Sequence, residues 1–146
     1  MKHVLALLAV TGIAGAALAH TGATGIVKER MDGMGVLAVA MKKLAGAKNS
    51  GVVDANEMTA IAQDIQAHSG QALLQRFPEG SLPHVSEASP VIWSDWEGFE
   101  AQANLLYEAA VALEKSADTE NFVIDASFAA IGATCAGCHK DYRIKK

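Results

Sequence analysis

All prolines of this 146-residue chain lie in a single segment: Pro78, Pro83 and Pro90 fall between Gln75 and Trp93. Proline lacks the backbone N–H and clashes with the preceding helical turn, so it marks places where helices stop. The stretches on either side contain no proline and show no period-two alternation of apolar and polar residues. This distribution predicts an all-α chain with one long connection near its middle.

Apolar residues recur at spacings of three and four along four stretches outside that connection, which places them on one face of a helix in each case. Asp54 with Glu57 precedes the second stretch and Ser94 with Glu97 precedes the third, and both pairs are spaced like a capping box. The four faces are Ile26, Arg30, Met34, Leu37, Met41 and Leu44; Met58, Ile61, Ile65, Ala72 and Leu73; Trp96, Phe99, Ala103, Leu106, Ala110 and Leu113; and Ile124, Phe128, Ile131, Cys135, Cys138 and Tyr142.

Four helices joined by short links at residues 46–51 and 116–120 and by one long crossover fit an antiparallel four-helix bundle. Such bundles seat cofactors between facing helices. The chain is 51% hydrophobic, which is enough to build a core, and its net charge is −4 with no basic run longer than two residues. A nucleic-acid partner is therefore excluded, because nothing in the sequence would neutralise a polyphosphate.

The first nineteen residues are typical of an export signal. Lys2 and His3 precede an apolar stretch over residues 4–17, and Ala17-Leu18-Ala19 is an A-x-A cleavage sequence. The alternative is a membrane anchor, but a bilayer span needs about 20 apolar residues. We therefore predict a signal peptide at residues 1–19 and a mature domain at 20–146, with no membrane span after processing.

The chemistry of the chain is concentrated in Cys135-Ala136-Gly137-Cys138-His139, which is C-x-x-C-H, the attachment sequence of c-type haem. Each thiol adds to one haem vinyl group, and the imidazole on the same helical turn reaches the iron. The motif predicts one covalent haem c near the C-terminal helix, with Cys135 and Cys138 as attachment points and His139 as an iron ligand.

Three other interpretations of the two cysteines compete with haem attachment. A thioredoxin-type pair would need a βαβ context, which the helical spacing does not provide. A zinc site would need four ligands, and the chain has no further cysteines. A disulfide between residues so close would strain a helix. Haem attachment is the interpretation that uses both cysteines in an exported chain.

The sequence resembles the cytochrome c-prime (class II cytochrome c) family. The ending Cys135–Arg143, CAGCHKDYR, on the last helix resembles the family's C-terminus. Pro90–Asp95, PVIWSD, with Phe99 resembles its segment ahead of the third helix, and Lys28–Arg30 resembles its first helix. The resemblance implies a left-handed antiparallel bundle with haem packed among the helices, in the bacterial periplasm.

The resemblance also bears on the iron's sixth position, opposite His139. High-spin members carry a non-ligating apolar residue four positions after the first-helix arginine, whereas low-spin relatives carry a methionine ligand there. This chain has Met34 four residues after Arg30, so the resemblance implies Met34 as the second axial ligand, in the low-spin branch. Met31 is the next candidate. The competing interpretation is that Met34 only fills space in the core, as methionines on helical stripes often do.

Two arginines are expected beside the haem. Arg30 and Arg143 could pair with a propionate or donate a hydrogen bond near the proximal imidazole, and the alternative is that both are solvated charges. His68 and His84 are interpreted as surface or partly buried histidines rather than ligands.

Three aromatic residues complete the expected surroundings of the site. Tyr142 and Trp96 are interpreted as core residues, and Phe128 is expected to pack near the macrocycle.

These features predict a periplasmic monohaem cytochrome that carries single electrons between redox partner proteins and is not an enzyme. The alternative is a five-coordinate protein in which Met34 is packing and the iron binds nitric oxide or carbon monoxide. A haem peroxidase would need a distal acid–base histidine, and the first helix has none. Relatives occur as monomers and dimers, so a homodimer through the first and second helices is possible.

Overall fold

The computed structural model describes residues 22–82 and 85–144. The expected signal peptide at residues 1–19 and the side chain of His84 lie outside the described residues. The helices of the described part are α1 Gly25–Ser50, α2 Ala55–Gln66, α3 Gly70–Leu74, α4 Val91–Ser94, α5 Trp96–Ser116 and α6 Ile124–Tyr142. Within these ranges no strand is formed, and Ala88 and Arg143 make an isolated β-bridge.

The four long helices α1, α2, α5 and α6 form the bundle. Helix α1 packs against α2 and α6, and α5 packs against the same two helices. With short links from α1 to α2 and from α5 to α6, this ring of contacts confirms the antiparallel four-helix bundle. Within the described residues no helix is both long and apolar enough to cross a membrane.

The second predicted helix is interrupted. Helix α2 ends at Gln66, and the short α3 begins at Gly70, whose φ is +52°. A Cβ at Gly70 would lie 3.3 Å from the Cβ of Tyr107 on α5. A left-handed backbone and a close approach both favour glycine. The expectation of one helix continuing to Leu73 is therefore wrong, because packing against α5 overrides the local spacing.

The third predicted helix begins later than its capping pattern indicates. Val91–Ser94 form the separate turn α4, and the Ser94 hydroxyl donates to the Val91 carbonyl at 3.1 Å instead of capping α5. Asp95 precedes α5, and its Oδ2 accepts a hydrogen bond from the Tyr142 hydroxyl at 2.6 Å. The predicted capping box at Ser94 is therefore wrong, because the polar groups at this helix start bind elsewhere.

The buried residues form two clusters, and Met34 packs against both of them. The first cluster lies among the four long helices, and the second joins α3, Phe77, α4, the start of α5 and the end of α6. The first consists of Leu37, Ala40, Leu44, Ala47, Met58, Ile61, Ala62, Ile65, Leu106, Ala110, Leu113, Ala117 and Ile131, and the second of Leu73, Leu74, Phe77, Ile92, Phe99, Ala103 and Tyr142.

The two aromatic residues expected in the core differ in burial. Tyr142 is 6% exposed, which confirms the expectation. Trp96 is 36% exposed, so its assignment to the core is wrong. It lies at the first position of α5, and its ring centroid is 5.8 Å from that of Phe99.

Candidate haem-binding site

The C-x-x-C-H sequence lies in the second half of α6, and both cysteines are half-buried free thiols. Burial raises the pKa of the Cys135 thiol. Burial, followed by the charges of Cys135 and Asp141, raises the pKa of Cys138 to about 11. Cysteine pairs that exchange disulfides have lowered thiol pKa values. The environment of these thiols therefore argues against a thioredoxin-type pair.

A zinc site also lacks support. Among residues 22–82 and 85–144, no group of three or more His, Cys, Asp or Glu side chains is placed to hold a metal ion. A structural zinc ion needs four protein ligands. The described residues therefore provide no four-ligand zinc site at the two cysteines.

The cysteine-bearing face of α6 is poorly covered by the rest of the protein. Of the 19 residues of helix α6, only Ile131 and Tyr142 are buried, whereas five of the 21 residues of α5 are buried. Phe128 and Cys135 pack at the edge of the first cluster, and Cys138 packs at the edge of the second. A large flat apolar group bonded to both thiols would extend from one cluster to the other and cover this face. The residues present therefore fit a haem.

His139 lies in the last turn of α6 and is exposed to solvent. Partial desolvation of its ring, and then the charge of Arg143, lower the pKa of His139. Both causes favour the neutral imidazole, which is the form that binds a metal. His139 therefore combines accessibility with the protonation state that an axial ligand needs.

Met34 is half-buried on α1, the helix that packs beside α6. Its contact with both clusters places it between the parts of the core that Cys135 and Cys138 adjoin. Met31 is also half-buried but is not among the residues packed against either cluster. Of these two methionines, Met34 thus has the position that a residue facing the haem would need.

Arg30 is 4% exposed, and its guanidinium is bound within the chain rather than solvated. It donates hydrogen bonds to the Arg76 and Ser81 carbonyls and to the Ser81 and Ser86 hydroxyls. Burial lowers the pKa of Arg30. Contact between Arg30 and a haem propionate stays a prediction.

Arg143 lies at the surface, directly after α6. Its Nη2 is 2.6 Å and its Nε 2.9 Å from Oε2 of Glu87. The Ile144 N–H donates to the Glu87 carbonyl at 2.8 Å, so the C-terminal segment is paired with the residues before α4. Arg143 is close enough to His139 to influence its pKa, and its contact with a haem stays a prediction.

His68 is half-buried after α2, and its Nδ1 lies 2.9 Å from Nη1 of Arg76. Burial, and then the Arg76 charge, lower the pKa of His68, while Asp64 acts in the opposite direction. Arg76 can only donate, so Nδ1 of His68 is the acceptor. This bond gives His68 a structural partner, in keeping with its interpretation as a partly buried histidine.

Two pairings around the motif were missed by sequence reasoning. Oε1 of Gln102 on α5 lies 3.0 Å from where a Cβ of Gly137 would stand, so the glycine between the two cysteines lets α5 approach. The hydrogen bond from Tyr142 to Asp95 joins the end of α6 to the start of α5. The glycine at position 137 could have indicated that another helix approaches closely there. The spacing of residues near the motif could not indicate Gln102 or Asp95 as the partners, because both are distant in the chain.

A four-helix bundle with C-x-x-C-H on its last helix defines a monohaem c-type cytochrome of the helical-bundle class. The family model described as Cytochrome C' matches residues 25–143, and the chain belongs to this family. One covalent haem c is therefore its cofactor.

Similar proteins include two kinds of cytochrome. A cytochrome c' from Cereibacter sphaeroides is 37% identical over 59 residues, which are 40% of this chain and 40% of that protein. A cytochrome c-556 from Agrobacterium fabrum is 31% identical over 122 residues, 84% of this chain and 78% of that protein. The chain spans only 40% to 51% of the length of the curated cytochrome c' relatives from Cereibacter sphaeroides and Rhodospirillum rubrum.

Solved structures of cytochrome c prime share the fold. The one from Shewanella frigidimarina has a TM-score of 0.74 at 24% identity, covering 82% of this chain and 94% of that chain. A nitric oxide complex of a single-residue variant from Alcaligenes xylosoxidans has a TM-score of 0.70 at 27% identity, covering 83% and 94%. Each match covers more than four fifths of this chain.

Proposed function

We propose that this protein is a periplasmic monohaem cytochrome whose iron is held by His139 and binds a small diatomic gas, nitric oxide or carbon monoxide, on the opposite side. Cys135 and Cys138 tether the haem, and α1 packs beside α6. The observation that carries the proposal is the match to the cytochrome C' family over residues 25–143, together with the nitric oxide complex of a similar structure. The methionine-ligated, low-spin branch implied by the resemblance has no support from these similarities.

The composition of α1 suits this function. The helix contains no histidine, and its side chains nearest the core are apolar apart from Arg30. Apolar surroundings without a distal acid–base group favour binding of a small neutral ligand over peroxide cleavage. The protein is thus proposed as a ligand-binding or electron-carrying protein and not as an enzyme.

A second candidate is the one-electron carrier in which Met34 is the sixth ligand. The contact of Met34 with both clusters favours it, because that position lies where the two attachment cysteines adjoin the core. A thioether ligand raises the reduction potential by favouring reduced iron. Redox partner proteins of the periplasm would then be the donors and acceptors.

The visible spectrum of the reduced protein, with and without carbon monoxide, separates the two functions. Gas binding requires a high-spin parent that binds carbon monoxide readily and a Met34→Ala variant with a similar spectrum. A low-spin parent that resists carbon monoxide, and becomes high-spin in Met34→Ala, would overturn gas binding and support the electron carrier. Met41→Ala is the matched control, since Met41 is also half-buried on α1 and packs against the first cluster.

Export and self-association belong to the same proposal. The signal peptide at residues 1–19 implies that the periplasmic protein begins at His20, which N-terminal sequencing measures; a start at Met1 would support an anchor instead.

A homodimer through α1 and α2 would cover Val39 and Val52, which are 54% and 72% exposed. Sedimentation of the parent and of Val39→Glu tests this interface, and an unchanged mass would rule it out.

A further inference from the structure

The guanidinium of Arg30 is buried without a carboxylate partner among the described residues. Arginine has five N–H donors, and each one is used. Nε and Nη2 donate to the Arg76 carbonyl at 3.0 and 2.8 Å, Nη1 donates to the Ser81 carbonyl at 3.2 Å and the Ser86 hydroxyl at 3.4 Å, and Nη2 also donates to the Ser81 hydroxyl at 2.7 Å. Every acceptor lies in the crossover between α3 and α4.

Arg30 connects α1 to this part of the crossover through hydrogen bonds. Within the described residues, all hydrogen bonds from α1 to residues 76–82 and Ser86 come from its side chain. The segment has few other hydrogen bonds: the Ser81 N–H and hydroxyl donate to the Pro78 carbonyl, the Leu82 N–H donates to the Gly80 carbonyl, and the indole N–H of Trp93 on α4 donates to the Phe77 carbonyl at 3.0 Å. The hydrogen bonds that hold the described part of this segment against α1 therefore all come from Arg30.

The same guanidinium lies over the ring of Phe77, 4.0 Å from the ring centroid. Phe77 is 5% exposed and belongs to the second cluster, against which Met34 and Cys138 pack. Arg30 and Met34 are four residues apart, so they lie one turn apart on the same face of α1. Arg30 thus connects the helix that carries Met34 with the segment that carries Phe77.

We propose that Arg30 is a positioning residue for the side of the haem opposite His139. By fixing Phe77 relative to Met34, it sets the space in which a small ligand approaches the iron. The inference rests on the proposed haem site and adds a determinant of ligand access to it. Lysine cannot replace this function, because its ammonium has three donors on a flexible stem rather than a planar fork.

The experiment measures carbon monoxide association by flash photolysis in the reduced holoprotein, for Arg30→Lys and Arg30→Gln. Both changes are made in the parent and in Met34→Ala, where the sixth position is open whichever function is correct. We expect carbon monoxide association to be about tenfold faster in both variants, because a less constrained Phe77 lowers the barrier to ligand access. Ser81→Ala removes one acceptor and should shift the rate in the same direction by less.

Val27→Ala is the matched control, since Val27 is buried on α1 at 6% exposure and makes no hydrogen bond to the crossover. It should lower the urea midpoint and leave the association rate unchanged. An unchanged rate in both Arg30 variants and in Ser81→Ala would show a purely stabilising role and overturn the inference. A parent-like rate in Arg30→Lys alone would assign the effect to charge, which also overturns it. A low-spin parent contradicts gas binding, but the Met34→Ala series still tests Arg30.

Discussion

Tyr142 fixes the C-x-x-C-H turn against α5 through one polar and one aromatic contact. Its hydroxyl donates to Asp95 at 2.6 Å, and its ring meets Phe99 edge-on with centroids 5.3 Å apart. Gly98 permits this approach, because a Cβ there would collide with both the Tyr142 hydroxyl and the Asp95 carboxylate. Burial and the acceptor Asp95 raise the pKa of Tyr142 to about 12. The phenol therefore stays protonated, and able to donate to Asp95, throughout the physiological range.

The two cysteines are predicted to carry the haem covalently. Protein produced with a haem-ligation system should gain the mass of one haem, and the haem should survive acid–acetone extraction, because thioether bonds do not dissociate. Changing both residues, Cys135→Ala with Cys138→Ala, should make all haem extractable, while either single change leaves one thioether. Intact mass spectrometry measures each outcome. Extractable haem in the parent would contradict the attachment.

His68 is predicted to make stability depend on pH. Its folded pKa is lowered, chiefly by burial and then by Arg76, so the unfolded chain binds the proton more readily. The stabilisation is complete above the unfolded value of about 6.5 and declines as the pH falls from there towards the folded pKa. In the holoprotein, the urea midpoint should fall on acidification through this window, and His68→Gln should flatten that slope. Equal slopes in parent and variant would show that other groups are responsible.

At the scale of helices, residue spacing predicts a helix and its ends where the interacting residues are close together in the chain. The period of α1 and α5 needed only nearby residues, and both helices form, although α5 begins at Trp96, later than its predicted capping box indicates. The break at Gly70 and the late start of α5 depend on Tyr107 and Tyr142, which no spacing near those sites reveals. For the same reason the C-x-x-C-H motif was visible in the sequence, whereas the binding of Arg30 to the crossover was not.

The start of α2 shows the value of a local signal. The Asp54 side chain accepts a hydrogen bond from the Glu57 N–H at 2.8 Å, as its spacing predicts. Asp54→Ala should lower the free energy of unfolding by about 1 kcal/mol, the usual worth of an N-cap, as measured by urea denaturation. Thr24→Ala is the control, because Thr24 precedes α1 without a side-chain capping bond. Equal losses in the two variants would contradict a capping role for Asp54.

For the whole molecule, the uneven burial of the helices indicates that the haem is part of the core. Helix α6 contributes Ile131 and Tyr142 to the buried set, while Phe128 and both cysteines stay half-buried beside the two clusters. Helix α2 packs against both α1 and α5, and these contacts do not include α6. Protein without haem should therefore retain those three helices better than α6.

Haem-free protein from the Cys135→Ala, Cys138→Ala double variant tests this division of stability. Without the haem, apolar surface on α6 stays in contact with water, so burial that would stabilise this helix is lost. The melting temperature should fall relative to the holoprotein, and amide exchange should accelerate most in α6 and least in α2 and α5. The double variant reconstituted with free haem separates loss of the cofactor from loss of the thiols, because non-covalent haem should restore part of the protection. Protection of α6 equal to that of α5 in the haem-free protein would show that the four helices form a complete core by themselves.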